Sequence, residues 1–243
     1  VANGKILKKN IFKNIWVQPA AGDAGGSLGA ALAMWYIEEN NKRIVNKNDD
    51  MNGSFLGPEY SQNDIEKYLD KIGGKFTILN TEELIERTAD QISKGKAIGW
   101  FQGRMEFGPR SLGSRSILGD PRSSSMQKNL NLKVKFRESF RPFAPSVLID
   151  KVSEWFELDI QSPYMLFVAN ISKLKKQEMT INEKKLFGIE KLNIKRSDIP
   201  AVTHVDYSAR IQTVNQKTNE RYYKLIKKFD EITGCPVLIN TSF

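Results

Sequence analysis

The chain has 243 residues, 40% of them apolar and 27% charged, a globular composition that excludes wholesale disorder and leaves room for one large domain or a domain with part of another. No apolar stretch approaches the ~20 residues that cross a bilayer, and the single cysteine, Cys235, excludes an internal disulfide. One histidine, His204, in a chain of net charge +9 excludes two-histidine metal sites, zinc fingers and HExxH metalloproteases, so any catalysis rests on cationic clamps and backbone donors.

Residues 15–17 predict a short strand, residues 18–23 a turn, and residues 25–38 a helix whose Gly and Ala content permits close backbone approach. The polar stretch 41–57 reads as a linker. Ser61 with Asp64 caps a helix with Ile65, Tyr68, Leu69 and Ile72 on one face, closed by Gly73-Gly74. A strand over 76–79 follows, then a helix opened by Asn80 and Glu83 with Leu84, Ile85, Thr88, Ala89 and Ile92 at helical spacing. Residues 97–101 predict a strand, and Asp120-Pro121 predicts the start of another helix. Later strands are expected over 146–149, 165–169, 204–214 and 236–239, with a helix from Thr218 carrying Tyr222, Leu225, Ile226, Phe229 and Ile232. The lysine-rich stretch 174–199 reads as an exposed excursion. The whole is an α/β pattern with a mixed sheet.

Charge is concentrated. Between positions 96 and 141 ten basic residues face three acidic ones, so +7 of the +9 lies in under a fifth of the chain, which points to an anionic ligand. Within that stretch GRMEFGPRSLGSRS (103–116) follows a strand and, with its glycines and proline, cannot be helical. It offers free backbone N–H groups beside Arg104, Arg110 and Arg115 and the hydroxyls of Ser111, Ser114 and Ser116, a phosphate-gripping combination unlike a Walker A loop. The alternative is a loop of solvated arginines. In residues 133–145, Lys133, Lys135, Arg137 and Arg141 interleave with Phe136, Phe140 and Phe143. Those rings either stack a nucleobase or anchor an irregular segment to the core. His204 and Asp206 alternate on the expected strand, with Arg210 two positions past Ser208. Asn240 ends a strand, where an amide either orients a planar ligand or opens a turn. Asp23 is a helix cap or a metal ligand.

Six stretches in order, QPAAGDAGG (18–26), GRMEFGPRSLGSRSIL (103–118), DPR (120–122), RESFRPFAPS (137–146), THVDYSARIQTV (203–214) and NTSF (240–243), resemble the O-carbamoyltransferase family, which includes nodulation and antibiotic-tailoring carbamoyltransferases. The resemblance implies a YrdC-like open twisted mixed sheet with flanking helices over 58–243. Before it would come a strand-helix remnant (1–40) of an actin-like ATPase (ASKHA) transfer domain and a linker at 41–57. Both ends then read as cuts in a longer polypeptide. The implied activity is formation of carbamoyl adenylate from carbamoyl phosphate and ATP with Mg²⁺. The carbamoyl group would then pass to a hydroxyl on a small molecule or oligosaccharide, in the transfer domain that holds a divalent metal, iron. Arg104, Arg110, Ser111, Arg115, His204, Asp206, Arg210 and Asn240 would bind the phosphorylated ligands. Lys133, Lys135, Arg137 and Arg141 would act catalytically, and Asp23 would match a metal-ligating aspartate whose histidine companions this chain lacks. The family usually carries Pro at position 139 and Gly at 207, where this chain has Ser139 and Tyr207. A cytoplasmic setting without membrane association is expected. The alternative reading is an RNA-binding YrdC-like module.

Overall fold

The fold is described by a computed structural model that covers residues 2–45 and 49–243. Helix α1 (Ala2–Lys9) precedes α2 (Asp23–Ala33), which loosens into a π turn over Met34–Glu38. Residues 15–17 pair with no strand among the described residues, and Trp16 is 76% exposed, so the strand expected there is not formed. Its helix is present. Of the expected linker, positions 46–48 lie outside the described residues, and its latter half is docked. Asn52–Ser54 forms a 3₁₀ turn with Gly53 and Ser54 buried, and Asp49 accepts a hydrogen bond from the Tyr164 hydroxyl.

Helix α3 (Gln62–Lys71) begins with the expected capping box between Ser61 and Asp64, yet none of its residues is buried and Tyr68 and Ile72 are open to solvent. Residues 76–79 likewise have no strand partner among the described residues. Helix α4 (Thr81–Ser93) starts at the Asn80 cap and buries Ile85, Thr88, Ala89 and Ile92, matching the sequence periodicity. Strands β1 (Ile98–Phe101) and β2 (Arg115–Gly119) pair antiparallel across the loop 102–114. The helix expected at Asp120-Pro121 starts later, as α5 (Met126–Lys133). Asp120 folds back on Arg122, accepting from its backbone N–H at 2.9 Å and its guanidinium at 2.7 Å, which makes a turn in place of a helix start.

Strand β3 (Ala144–Leu148), the short helix α6 (Val152–Trp155) and strand β4 (Phe167–Asn170) follow. The excursion carries two short helices, α7 (Ile181–Lys185) and α8 (Gly188–Leu192), and is tied down by Arg196. That side chain is 2% exposed and donates to the carbonyls of Lys191, Leu192, Ile194, Thr203 and His204 at 2.7–3.3 Å. Strand β5 (Ser208–Val214), helix α9 (Glu220–Thr233) and strand β6 (Val237–Thr241) complete the chain. Residues 204–207, expected within a strand, form a turn with Tyr207 at φ +63°. His204 and Asp206 therefore do not share a strand face. That left-handed backbone is one glycine adopts freely and a tyrosine rarely does. The Tyr207 hydroxyl instead reaches Gln177 O and Met179 N, both at 3.3 Å, within the excursion.

The six strands form one mixed sheet ordered β1-β2-β6-β3-β5-β4, antiparallel except for β3 with β5. Helices α4 and α9 pack on each other and on β1, β3 and β6. There Tyr222, Leu225, Ile226 and Phe229 are completely buried, and Ile232 stays exposed at the rim. Ala144 at the start of β3 pairs with Asn240 near the end of β6. Arg210, near the start of β5, pairs with Val168 of β4. One end of the sheet thus gathers the start of β3, the start of β5 and the end of β6. Among the described residues no helix is long and apolar enough to cross a membrane.

Candidate functional site

The loop between β1 and β2 closes over that end of the sheet, and its shape is set from inside. Glu106 is 4% exposed, and one carboxylate oxygen accepts from the backbone N–H groups of Leu112 and Ser114 at 2.7 Å and of Arg115 at 3.2 Å. A buried anion held by three peptide donors is well compensated. Gly113 sits at φ +102°, and a Cβ there would stand 2.3 Å from the Tyr222 ring, so only glycine permits this approach. The loop tip Pro109-Arg110-Ser111 is left facing the sheet end.

A buried polar chain fastens the tip. The Ser111 hydroxyl donates to Asn240 Oδ1 at 3.1 Å, and Asn240 Nδ2 donates to Ser111 O at 3.1 Å and to Gln212 Oε1 at 2.9 Å. The Ser146 hydroxyl donates to the same Gln212 oxygen at 2.6 Å, while Gln212 Nε2 donates to Leu112 O at 2.8 Å. Every polar hydrogen of the Asn240 amide is thereby engaged within the protein. Asn240 ties loop to sheet.

Above this floor lies a cleft of about 150 Å³ lined by Arg110, Lys135, Arg137 and Arg210, with Ser111, Asn240 and Ser242. It adjoins a chamber of about 420 Å³ that shares Arg110, Arg210 and Met165 and adds His204, Leu166 and Val168. Among the described residues, no aspartate or glutamate lines either space. Burial, and then Arg110, lower the pKa of Arg210, whose Nε is buried without a hydrogen-bond partner among the described residues. Burial first and Arg137 second lower that of Lys135; burial first and Arg141 second lower that of Arg137. Lys135 Nζ donates to Ser242 O at 2.5 Å, and Arg137 Nε to Asn131 Oδ1 at 2.7 Å. The cations therefore repel one another in a recess where an anion would relieve them.

The other expected site residues lie elsewhere. Arg115 donates to the carbonyls of Gln102, Gly103, Ser114 and Pro58 at 2.7–3.3 Å and stacks 3.5 Å from the Phe101 ring centre, which makes it a latch for the loop base. Arg104 pairs with Glu59 at 3.5 Å beside a separate cleft of about 600 Å³. Arg141 pairs with Glu138 at 2.9 Å, and Lys133 is exposed at the end of α5. Of the three phenylalanines, Phe143 is buried under the cleft while Phe136 and Phe140 are exposed. His204 reaches the chamber; Asp206 stands behind it, bonded to Ser208. Glu106 and Gln212 were not singled out in the sequence, although Gln212 lies two residues past Arg210 and so on the same strand face.

Asp23 is exposed at the first position of α2, and among the described residues no group of three His, Cys, Asp or Glu side chains is placed to hold a metal. A single exposed aspartate does not fit the divalent metal that the resemblance implies.

The family model described as "Carbamoyltransferase C-terminus" matches residues 89–243, and "Carbamoyltransferase N-terminus" matches residues 1–32. An uncharacterized protein of Synechocystis sp. is 55% identical over 100% of this chain and 40% of its own length. The nodulation protein NolNO of Sinorhizobium fredii is 41% identical over 99% of this chain and 32% of its own length. The nodulation protein NolO of Bradyrhizobium diazoefficiens is 40% identical over 99% of the chain and 40% of its own length. The chain thus spans less than half the length of these relatives.

Proposed function

The chain belongs to the carbamoyltransferase family, and from that premise we propose that its arginine-lined cleft takes carbamoyl phosphate and ATP and forms carbamoyl adenylate, the carbamoyl group then passing to a hydroxyl acceptor in the intact enzyme. One observation carries this reading: Arg110, Lys135, Arg137 and Arg210 converge on a recess without a carboxylate. Such a recess suits phosphorylated ligands and needs no nucleophilic side chain. Carbamoyl phosphate and water give carbamate and phosphate. A carbamate oxygen then bonds to the α-phosphorus of ATP as the bond to the β-phosphate oxygen breaks, releasing pyrophosphate. In both steps charge builds on departing phosphate oxygens, which cations at this recess would stabilise. Mg²⁺ would enter as the counter-ion of the ATP phosphates, because among the described residues no side-chain carboxylate lines the recess to hold it.

The test is pyrophosphate release from ATP that depends on carbamoyl phosphate, alongside calorimetric titration of each ligand. Saturable binding of both and coupled release are expected. Binding of neither would remove the proposal.

A further inference from the structure

The single histidine is held by a directional chain of hydrogen bonds. Ser208 Oγ lies 2.6 Å from Asp206 Oδ1, so the serine's only hydroxyl proton is donated to the carboxylate. Ser208 Oγ also lies 3.0 Å from His204 Nδ1. With its proton committed, the serine can only accept there, so Nδ1 carries the hydrogen and Nε2 is left as a lone pair. Nε2 has no hydrogen-bond partner among the described residues, and His204 lines the 420 Å³ chamber together with Arg110 and Arg210. Burial, the largest influence, with Arg210 and Arg196 lowers the imidazole pKa against the opposing pull of Asp206, which keeps the ring neutral.

We propose that His204 Nε2 is the hydrogen-bond acceptor for the NH₂ group of the ligand whose phosphate the arginines hold. The inference rests on the functional reading above and goes beyond it. The cleft and chamber carry no carboxylate, so an amine that enters has a neutral ring nitrogen as its acceptor among the charged and imidazole side chains. Carbamoyl phosphate carries its NH₂ a few bonds from its phosphate, within reach of a chamber that shares both arginines. In ATP the adenine amine is separated from the phosphates by the ribose.

Acetyl phosphate replaces that NH₂ by a methyl group of similar size and is the discriminating probe. Carbamoyl phosphate is expected to bind about five- to tenfold more tightly, the worth of one hydrogen bond. His204→Phe should reduce the ratio to near one while phosphate itself still binds. Because the chain has one histidine, its ring ¹⁵N resonances report the tautomer directly, and the Nε2 signal should move with carbamoyl phosphate but not with acetyl phosphate. Equal binding of the two acyl phosphates, a proton on Nε2, or discrimination surviving in the Phe variant would each overturn the proposal and leave the functional reading standing. A shift of the Nε2 signal with ATP but not inosine triphosphate would assign the acceptor to the adenine amine and also overturn it. Failure of both acyl phosphates to bind would remove the functional reading itself. If the variant does not fold, the unsubstituted chain's spectra decide.

Discussion

Glu106→Gln tests whether the loop over the cleft is shaped by one buried carboxylate. The carboxylate accepts three backbone N–H groups at 2.7, 2.7 and 3.2 Å and is 4% exposed. Hydrogen bonds to a charged acceptor contribute about 1.5–3 kcal/mol each, against about 1 for neutral ones. The three share one oxygen, so their losses do not add. The amide retains the shape and one acceptor oxygen, and the expected loss is about 2–4 kcal/mol in urea unfolding. The loop tip carries Arg110 and Ser111, so carbamoyl phosphate affinity, read by calorimetry at a temperature where the variant is folded, should fall at least tenfold. Glu106→Ala, which leaves the three donors without a partner, should be worse on both counts. A Gln variant within about 0.5 kcal/mol of the unsubstituted chain with unchanged affinity would refute the reasoning.

Arg210→Met removes a half-buried cation whose Nε has no partner among the described residues, so unfolding stability should hold or rise while titration with carbamoyl phosphate shows a loss of about tenfold or more; unchanged affinity would count against the cleft. The lowered pKa of His204 makes stability depend on pH in a definite sense. The unfolded chain, titrating near the ordinary value of 6.5, takes up the proton first. Stability is therefore complete above that value and declines as pH falls through it toward the folded value. Urea unfolding at pH 7.5 and 5.5 should show that decline, and His204→Phe should remove its histidine share. Cys235 is 1% exposed and its thiol is pushed up to about 12, chiefly by burial. It should react with a thiol reagent only at the rate of unfolding, and fast labelling of the native chain would contradict its placement.

Much of the fold was legible because the signals were local. Asn80 with Glu83, the spacing of Ile85, Ala89 and Ile92, and the Tyr222-to-Phe229 stripe fixed α4 and α9 by capping and periodicity. The misreadings share a cause. A strand needs a partner, and the patterns at 15–17 and 76–79 carry no information about one. At Asp120 the carboxylate satisfied Arg122 instead of a helix start, a competition that propensity cannot resolve. At Tyr207 a left-handed turn replaced the strand that alternation suggested. In the site, the density of cations was visible in composition, but their division was not. Whether an arginine faces a cleft or a ring of carbonyls depends on which way a non-repetitive loop turns. Arg110 and Arg115, five residues apart, met opposite fates. Glu106 gave only a faint signal, one acid among basic residues and glycines.

The amino-terminal helix α1 touches the wall of the chamber from behind. Its Gly4 lies so near the Val168 carbonyl that an added Cβ would stand 2.1 Å from that oxygen, and Asn3 Nδ2 donates to Leu166 O at 3.0 Å. Leu166 and Val168 both line the space into which His204 faces. Close-packed contacts of this kind transmit displacement instead of absorbing it. A side chain added at Gly4 would therefore be felt in the width of the space that His204 lines.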